Sequence, residues 1–397
     1  MSATTDAYNR GLAAGKTAKP TLKQWMEATE RWARISYPAS AHLDYWDECA
    51  KLDRERMQSP PSPTKYPETK GLADLLVAER KGFLDGSGAG PRELAFHYTW
   101  FFYCSRRLNT RFVGKGIRAN HCTGVYIPHS REGGPLYGRN LDDIRRPGLE
   151  DFQPPKTGPD GKRRLLRDGV SSAVLCDEEP TDIFPINPWA IMPEDCNRVK
   201  DIVPFLERYK EFWGPQNGFL VDEEQTAVAF EKSNCRVGWR WSDDGTAAVT
   251  ACSYLIPEMK KFKEERSRLS LKLRDWDETA PDWVYWKGCD ARYERLLKLT
   301  KEANAKGATL DDMAAIVTDH SVPFPERICL AGEKGHPSDT ITNWTLTSEA
   351  SVLEGPNRRT LFWRVEGETP CYENPPFLIP GEGVKVKSAW TKGTRAS

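Results

Sequence analysis

The chain lacks an excess of charge of either sign: 57 Lys and Arg balance 57 Asp and Glu across 397 residues. It therefore has no global field with which to hold nucleic acid or an anionic membrane surface. No apolar run approaches the roughly 20 residues that a bilayer-spanning helix needs. The opening stretch MSATTDAYNRGLAAGKTAKP lacks the apolar centre of a secretory signal, so a cytoplasmic protein is expected. The ten cysteines (49, 104, 122, 176, 196, 235, 252, 289, 329 and 371) include no CxxC pair, which excludes a zinc ribbon or thioredoxin-type motif. Without an export signal a disulfide framework is not expected either. GxGxxG, Walker and GxSxG motifs are absent. Histidine is scarce, and His121 and His129 have no third ligand at metal spacing, so no metal is expected.

What the chain does have is aromatic side chains, with 14 Trp, 13 Tyr and 15 Phe; ordinary core packing is the simplest use for them, and the walls of an apolar pocket are another. The first hundred residues read as helical. TLKQWMEATERWARIS (21–36) begins on a Thr cap and carries apolar residues near helical spacing. A second helix is expected over 42–57, then a Pro-rich break (59–69), then a helix from about Gly71. After Cys122 the texture becomes short β-like runs: 122–129, 135–142, 171–177, 218–222, 225–233, 236–242 and 246–255, with turn-forming spacers between them. Helices return over 257–273, 292–305 and 310–317, and strands over 326–332, 343–355 and 358–367. Helices flanking a mostly antiparallel sheet system make an α+β protein. The Lys260–Lys263 run and the basic stretch 161–167 read as solvated faces.

Cys122 opens one of these strands, and the next strand ends in Arg139-Asn140-Leu141-Asp142. A hairpin joining the two brings Arg139 and Asp142 near the cysteine. A guanidinium beside a thiol lowers its pKa and raises the thiolate fraction, while a carboxylate can hold an ammonium or orient a proton carrier. A surface ion pair at a turn is the ordinary alternative.

Cys122-Thr123-Gly124 followed by Gly134-Pro135-Leu136-Tyr137-Gly138-Arg139-Asn140-Leu141-Asp142 resembles the start of the mature chain in cysteine N-terminal-nucleophile hydrolases of the penicillin acyltransferase family. Bile salt hydrolases have a similar opening. Arg292-Tyr293-Glu294-Arg295-Leu296, Asp319-His320, Pro325-Glu326-Arg327-Ile328-Cys329 and the tail from Ser348 to Cys371 fall in that family's order, so the resemblance covers roughly residues 115 to 375.

The resemblance implies a four-layer αββα sandwich with an N-terminal helical segment, and a zymogen that cuts its own backbone between His121 and Cys122. Residues 1–121 would become an α subunit and 122–397 the catalytic β subunit of a heterodimer. Chemical logic supports such a cut: the amide nitrogen of an internal cysteine is no base, whereas a released α-amine of pKa near ~8 can take the thiol proton. By resemblance Asp142 binds the new α-ammonium and Arg139 stabilises the thiolate or positions substrate. Thr123 contributes a hydroxyl or a backbone N–H, and Arg327 matches a late active-site arginine, with a structural ion pair as its other reading. His320 reads as a helix C-terminal cap.

Two departures stand out. The family has an Asn on a central strand that helps hold the oxyanion, but Val249-Thr250-Ala251-Cys252-Ser253 contains none. Asn140, Asn234 and Asn343 are the candidate replacements, since losing one such donor costs ~10²–10³ in kcat. The residue before the cut is His121 where relatives often have Gly.

The function expected is a self-processing amidohydrolase or acyltransferase that acts on a linear amide of a small N-acyl amine or acyl-amino acid through a Cys122 thioester. It needs no cofactor; acyl-CoA is a candidate acyl donor, and a higher oligomer remains open. The alternative is an unprocessed or catalytically altered relative that binds a small acyl ligand or a partner protein.

Overall fold

The computed structural model describes residues 2–36, 51, 71–90, 122–142, 165–171, 196–210, 216–233, 236–250, 253–274, 281–323, 326–329, 345–364 and 376–380. The helix expected over 42–57 and the Pro-rich break fall almost wholly outside them.

The first helix, α1 (Ala3–Ser36), starts far earlier than the sequence suggests. Ser2 caps it, its hydroxyl accepting from the Thr5 N–H at 3.2 Å, which satisfies one of the unpaired donors of the first turn. The second, α2 (Leu72–Ser87), begins at the expected Gly71. The two helices touch backbone to backbone. A Cβ on Gly11 would lie 1.9 Å from the Glu79 carbonyl oxygen, and one on Gly82 would lie 2.0 Å from that of Tyr8. Gly15 and Gly86 repeat the contact one turn on, so the helices run parallel. This is the small-xxx-small solution to close helix approach, written here as GLAAG and GFLDG.

The chain then builds β1 (Thr123–Ile127) and β2 (Leu136–Asp142), an antiparallel pair. Further on come β3 (Leu165–Ser171), α3 (Val199–Arg208), β4 (Gln216–Asp222), β5 (Ala227–Lys232), β6 (Val237–Trp241) and β7 (Ala247–Thr250). The remainder is α4 (Pro257–Arg274), α5 (Pro281–Ala305), α6 (Leu310–Val317), β8 (Thr345–Val352), β9 (Arg359–Arg364) and β10 (Phe377–Pro380). The strands form a six-stranded sheet in the order β10-β9-β8-β2-β1-β7 and a four-stranded sheet in the order β3-β4-β5-β6. Every pairing within them is antiparallel. The protein is thus α+β.

Strand alternation divides the larger sheet into two faces. Val125, Ile127, Leu136, Ala350 and Val352 are on one face, in a core with Leu310, Met313 and Val317 of α6 and Leu296 of α5. Gly138 belongs to that face too. A Cβ there would meet the Met313 sulfur at 2.4 Å, so its missing side chain lets α6 sit close. Tyr126 and Tyr137 are on the other face, their rings each 6.5 Å from that of Phe219 on β4. The smaller sheet places Leu220, Val228 and Phe230 on its opposite face, in a core with Val199, Ile202 and Leu206 of α3.

Three local expectations are corrected. The basic stretch 161–167 is not simply a solvated face, because β3 starts at Leu165 and pairs with β4. Residues 326–329 form a turn rather than a strand, held by the Cys329 N–H donating to the Asp319 carbonyl at 3.3 Å. Lys263 is not solvated: it is buried and paired with Asp290 at 2.7 Å. Of the strand expected over 171–177, only Ser171 lies among the described residues.

Candidate active site

Cys122 is buried, 4% exposed, and immediately precedes β1. β1 is an interior strand, with β2 on one side and β7 on the other. Continuing the alternation back by one residue puts Cys122 on the face of Gly124 and Tyr126, the face that meets the smaller sheet. Gly124 is directly opposite Arg139 on β2, and Arg139 in turn opposite Glu349 on β8. Arg139 is therefore the diagonal neighbour of Cys122 on that face, a distance that a long side chain spans. Gly124 offers no side chain to intervene. Asp142 ends β2 opposite Thr345, just after a register shift between Leu141 and Asp142; its side chain lies outside the description.

Thr123 and Asn140 take the other face. They are directly opposite one another, and with Thr250 and Ser348 they make one continuous cross-strand row, every member fully buried. The Asn140 side-chain amide donates to the Ile328 carbonyl at 3.3 Å. Among the described residues, the Oγ1 atoms of Thr123 and Thr250 and the Oδ1 of Asn140 are buried without a hydrogen-bond partner. Of the oxyanion candidates, Asn140 thus faces the helix layer rather than the side of Cys122. Asn343 and Asn234 lie outside the described residues, as do His121, Ala251 and Cys252.

Arg327 is buried in the 326–329 turn and is close enough to His320 for its charge to oppose the imidazolium. Burial also works against that imidazolium, but hydrogen bonds with Cys329 and the Thr318 carbonyl carry the His320 pKa above its ordinary value. The ring is held by its Nδ1, which donates to the carbonyl of Thr318, the cap residue of α6. Arg295 grips Asp319 with two hydrogen bonds of 2.6 and 2.8 Å, which fixes the neighbouring backbone.

Asn217 is a residue that no sequence signal marks. It is on β4, fully buried, two positions from Phe219 and so on the face that meets the larger sheet. Its Nδ2 donates to the carbonyls of Thr250 at 2.8 Å and Ser253 at 2.6 Å, clasping the end of β7. Nearby, Arg240 and the Tyr293 hydroxyl both donate to the Ala248 carbonyl, at 3.0 and 2.8 Å. These side chains cover the outer edge of β7, a sheet edge whose backbone groups would otherwise need partners. Glu231, opposite Asn217, accepts from the N–H groups of Leu255 and Ile256 just ahead of α4. Its burial raises its pKa above the usual carboxylate range despite those bonds.

Among the described residues no group of three or more His, Cys, Asp or Glu side chains could hold a metal ion, and no helix is long and apolar enough to cross a membrane. Cys122, Cys196, Cys289 and Cys329 are thiols rather than disulfides. No protein-family model matches the chain, and no curated protein matches it.

Proposed function

We propose that the chain is a self-processing cysteine amidohydrolase or acyltransferase of the N-terminal-nucleophile type, built on a four-layer αββα sandwich. The observation that carries the reading is the register of β1 and β2, with Arg139 opposite Gly124 and therefore beside Cys122. A thiol at the start of an interior strand, with a guanidinium on its own face, has a means of becoming a thiolate at neutral pH. The layering supports the same reading: Tyr126 and Tyr137 against Phe219 join the two sheets, α5 and α6 cover one outer face and α3 the other.

The chemistry runs in two stages. Hydrolysis of the His121–Cys122 peptide bond, in which water adds to the His121 carbonyl carbon and leaves a carboxylate there, frees the α-amine of Cys122. That amine takes the thiol proton, the thiolate attacks the carbonyl carbon of a linear amide, and the ammonium returns its proton to the departing amine nitrogen. A thioester remains on Cys122. Water resolves it to a carboxylic acid, or a second amine resolves it to a new amide. The substrate class is a small N-acyl amine or acyl-amino acid, with an acyl-CoA thioester as an alternative donor to the same sulfur.

Intact mass of the freshly purified protein, beside Cys122→Ala, tests this. The wild type is expected to divide its 45.0 kDa into pieces ending at His121 and starting at Cys122 that co-elute under native conditions, with the variant remaining whole. A wild-type chain that stays whole would overturn the reading in favour of a binding protein.

A further inference from the structure

On the face of the larger sheet that holds Cys122, the strand register lines up Val249, Gly124, Arg139, Glu349 and Phe362 in one row across five strands. Gly124 and Phe362 are buried, whereas Arg139 and Glu349 between them are both partly exposed. This face is therefore open to solutes where its charges are. Directly opposite residues on neighbouring strands hold their Cβ atoms about 4.5–5.5 Å apart, within the span of an arginine and a glutamate side chain. Arg139 is also diagonal to Cys122 across Gly124, so the charged pair adjoins the thiol.

An arginine beside an acyl-transfer nucleophile has two uses. It favours the thiolate, and it is a receptor for a carboxylate on the substrate. Glu349 separates the two. A carboxylate opposite Arg139 balances its charge, and a second carboxylate entering the same space meets a like charge that repels it. The thiolate keeps its benefit, because Glu349 is one strand further from Cys122 than Arg139 is, about 4.8 Å. Across the inter-sheet space, Arg240 on β6 is likewise committed. It donates to the Ala248 carbonyl at 3.0 Å and is close enough to Glu231 to favour that residue's ionised form.

We infer that Glu349 is a specificity-determining residue that closes the thiol site to substrates with a free carboxylate near the scissile amide. This rests on the function proposed above and narrows its substrate class: N-acyl amines are accepted and acyl-amino acids are rejected. Arg139 then serves the thiolate and not the substrate.

The test compares two alkylating reagents of nearly one shape, iodoacetate with a carboxylate and iodoacetamide with a neutral amide. In each the thiolate sulfur bonds to the reagent's methylene carbon and iodide leaves. Rates at Cys122 are read by peptide mass spectrometry, and their ratio is set against the same ratio for free cysteine, so that a change in thiolate fraction cancels. Wild type is expected to disfavour iodoacetate relative to free cysteine. In Glu349→Gln the ratio is expected to swing towards iodoacetate by roughly tenfold or more, and in Glu349→Asp, which keeps the charge, to stay near wild type. An unmoved ratio in folded Glu349→Gln would overturn the inference. So would a wild-type ratio equal to that of free cysteine or shifted towards iodoacetate, a result that needs no variant to fold. The intact mass of the same samples shows whether the chain is cut. A whole wild-type chain would overturn the proposed function and the substrate assignment with it, whereas a cut chain with an unmoved ratio overturns only the role of Glu349. A Cys122 that neither reagent modifies would overturn both, since a nucleophile has to meet its electrophile.

Discussion

The two ends of β1 differ in kind. At the far end Ile127 is opposite Leu136, which is opposite Val352, an apolar row sealed under α6. At the near end the corresponding row across four strands is Thr250, Thr123, Asn140 and Ser348, all fully buried and all polar. Burial alone is therefore not what separates them. The far end gains from every atom removed from water, whereas the near end carries polar groups whose desolvation is only partly offset by hydrogen bonds. A five-residue strand thus joins a region that stabilises the sheet to one that has stability to lose, and Cys122 sits at the second.

Substitutions can break or sharpen that contrast. The largest effect is expected at the near end and in chemistry: Cys122→Ala should abolish chain cutting and turnover while leaving Tm within a few degrees of wild type, as mass spectrometry, an amide-hydrolysis assay and calorimetry would show. Next comes Leu136→Ala at the far end, which should lower unfolding free energy by about 2–5 kcal/mol in a denaturant titration. If it also removed turnover in protein that remains folded, the two ends would not be separable. Thr123→Val keeps the shape and removes a buried hydroxyl without a partner among the described residues, so it should be neutral or stabilising by about 1 kcal/mol. A clear destabilisation would mean that this hydroxyl has a bound donor or acceptor of its own.

The smallest effect concerns pH. The folded-state pKa of Glu231 is raised above its ordinary 4.5 by burial. Its contribution to stability is then fully present below that value and is lost as pH rises through the folded pKa. The stability of wild type relative to Glu231→Gln should therefore decline from acid towards neutral pH, and parallel Tm series would show it. A difference flat with pH would mean that the carboxyl keeps its ordinary pKa in the fold.

Much of this arrangement was legible in the sequence where local chemistry decides structure. The hairpin of β1 and β2 was legible as two short β-like runs, 122–129 and 135–142, with a polar, glycine-containing spacer between them. α6 was read at its observed limits, 310–317, and the structure shows what starts it there, a capping box of Thr309 and Asp312. The strand read over 326–332 is a turn where described, and the apolar Ile328 and Cys329 that suggested a strand are buried in the core with α6. α1 was started too late because Thr21 reads as a cap but lies inside the helix, and glycines at 11 and 15 weaken helix propensity ahead of it. Their role appears only when α2 lies against them. Asn217 escaped for a similar reason, since its partners at Thr250 and Ser253 are distant in sequence and no local pattern announces them.

The strand order also dictates timing on the ribosome. The four-stranded sheet is a run of consecutive strands, β3 to β6, and can assemble as soon as it has been made. The hairpin that starts at Cys122 cannot complete its sheet then, because β2 needs β8 and Leu136 is partnered by Val352. At synthesis rates of about 5–20 residues per second, that hairpin waits on the order of ten seconds or more for its neighbour. Premature termination anywhere before β8 would leave the thiol beside an unfinished sheet. A truncated product would carry Cys122 without the strand that completes its sheet, so any chemistry that depends on that framework waits until β8 has been made.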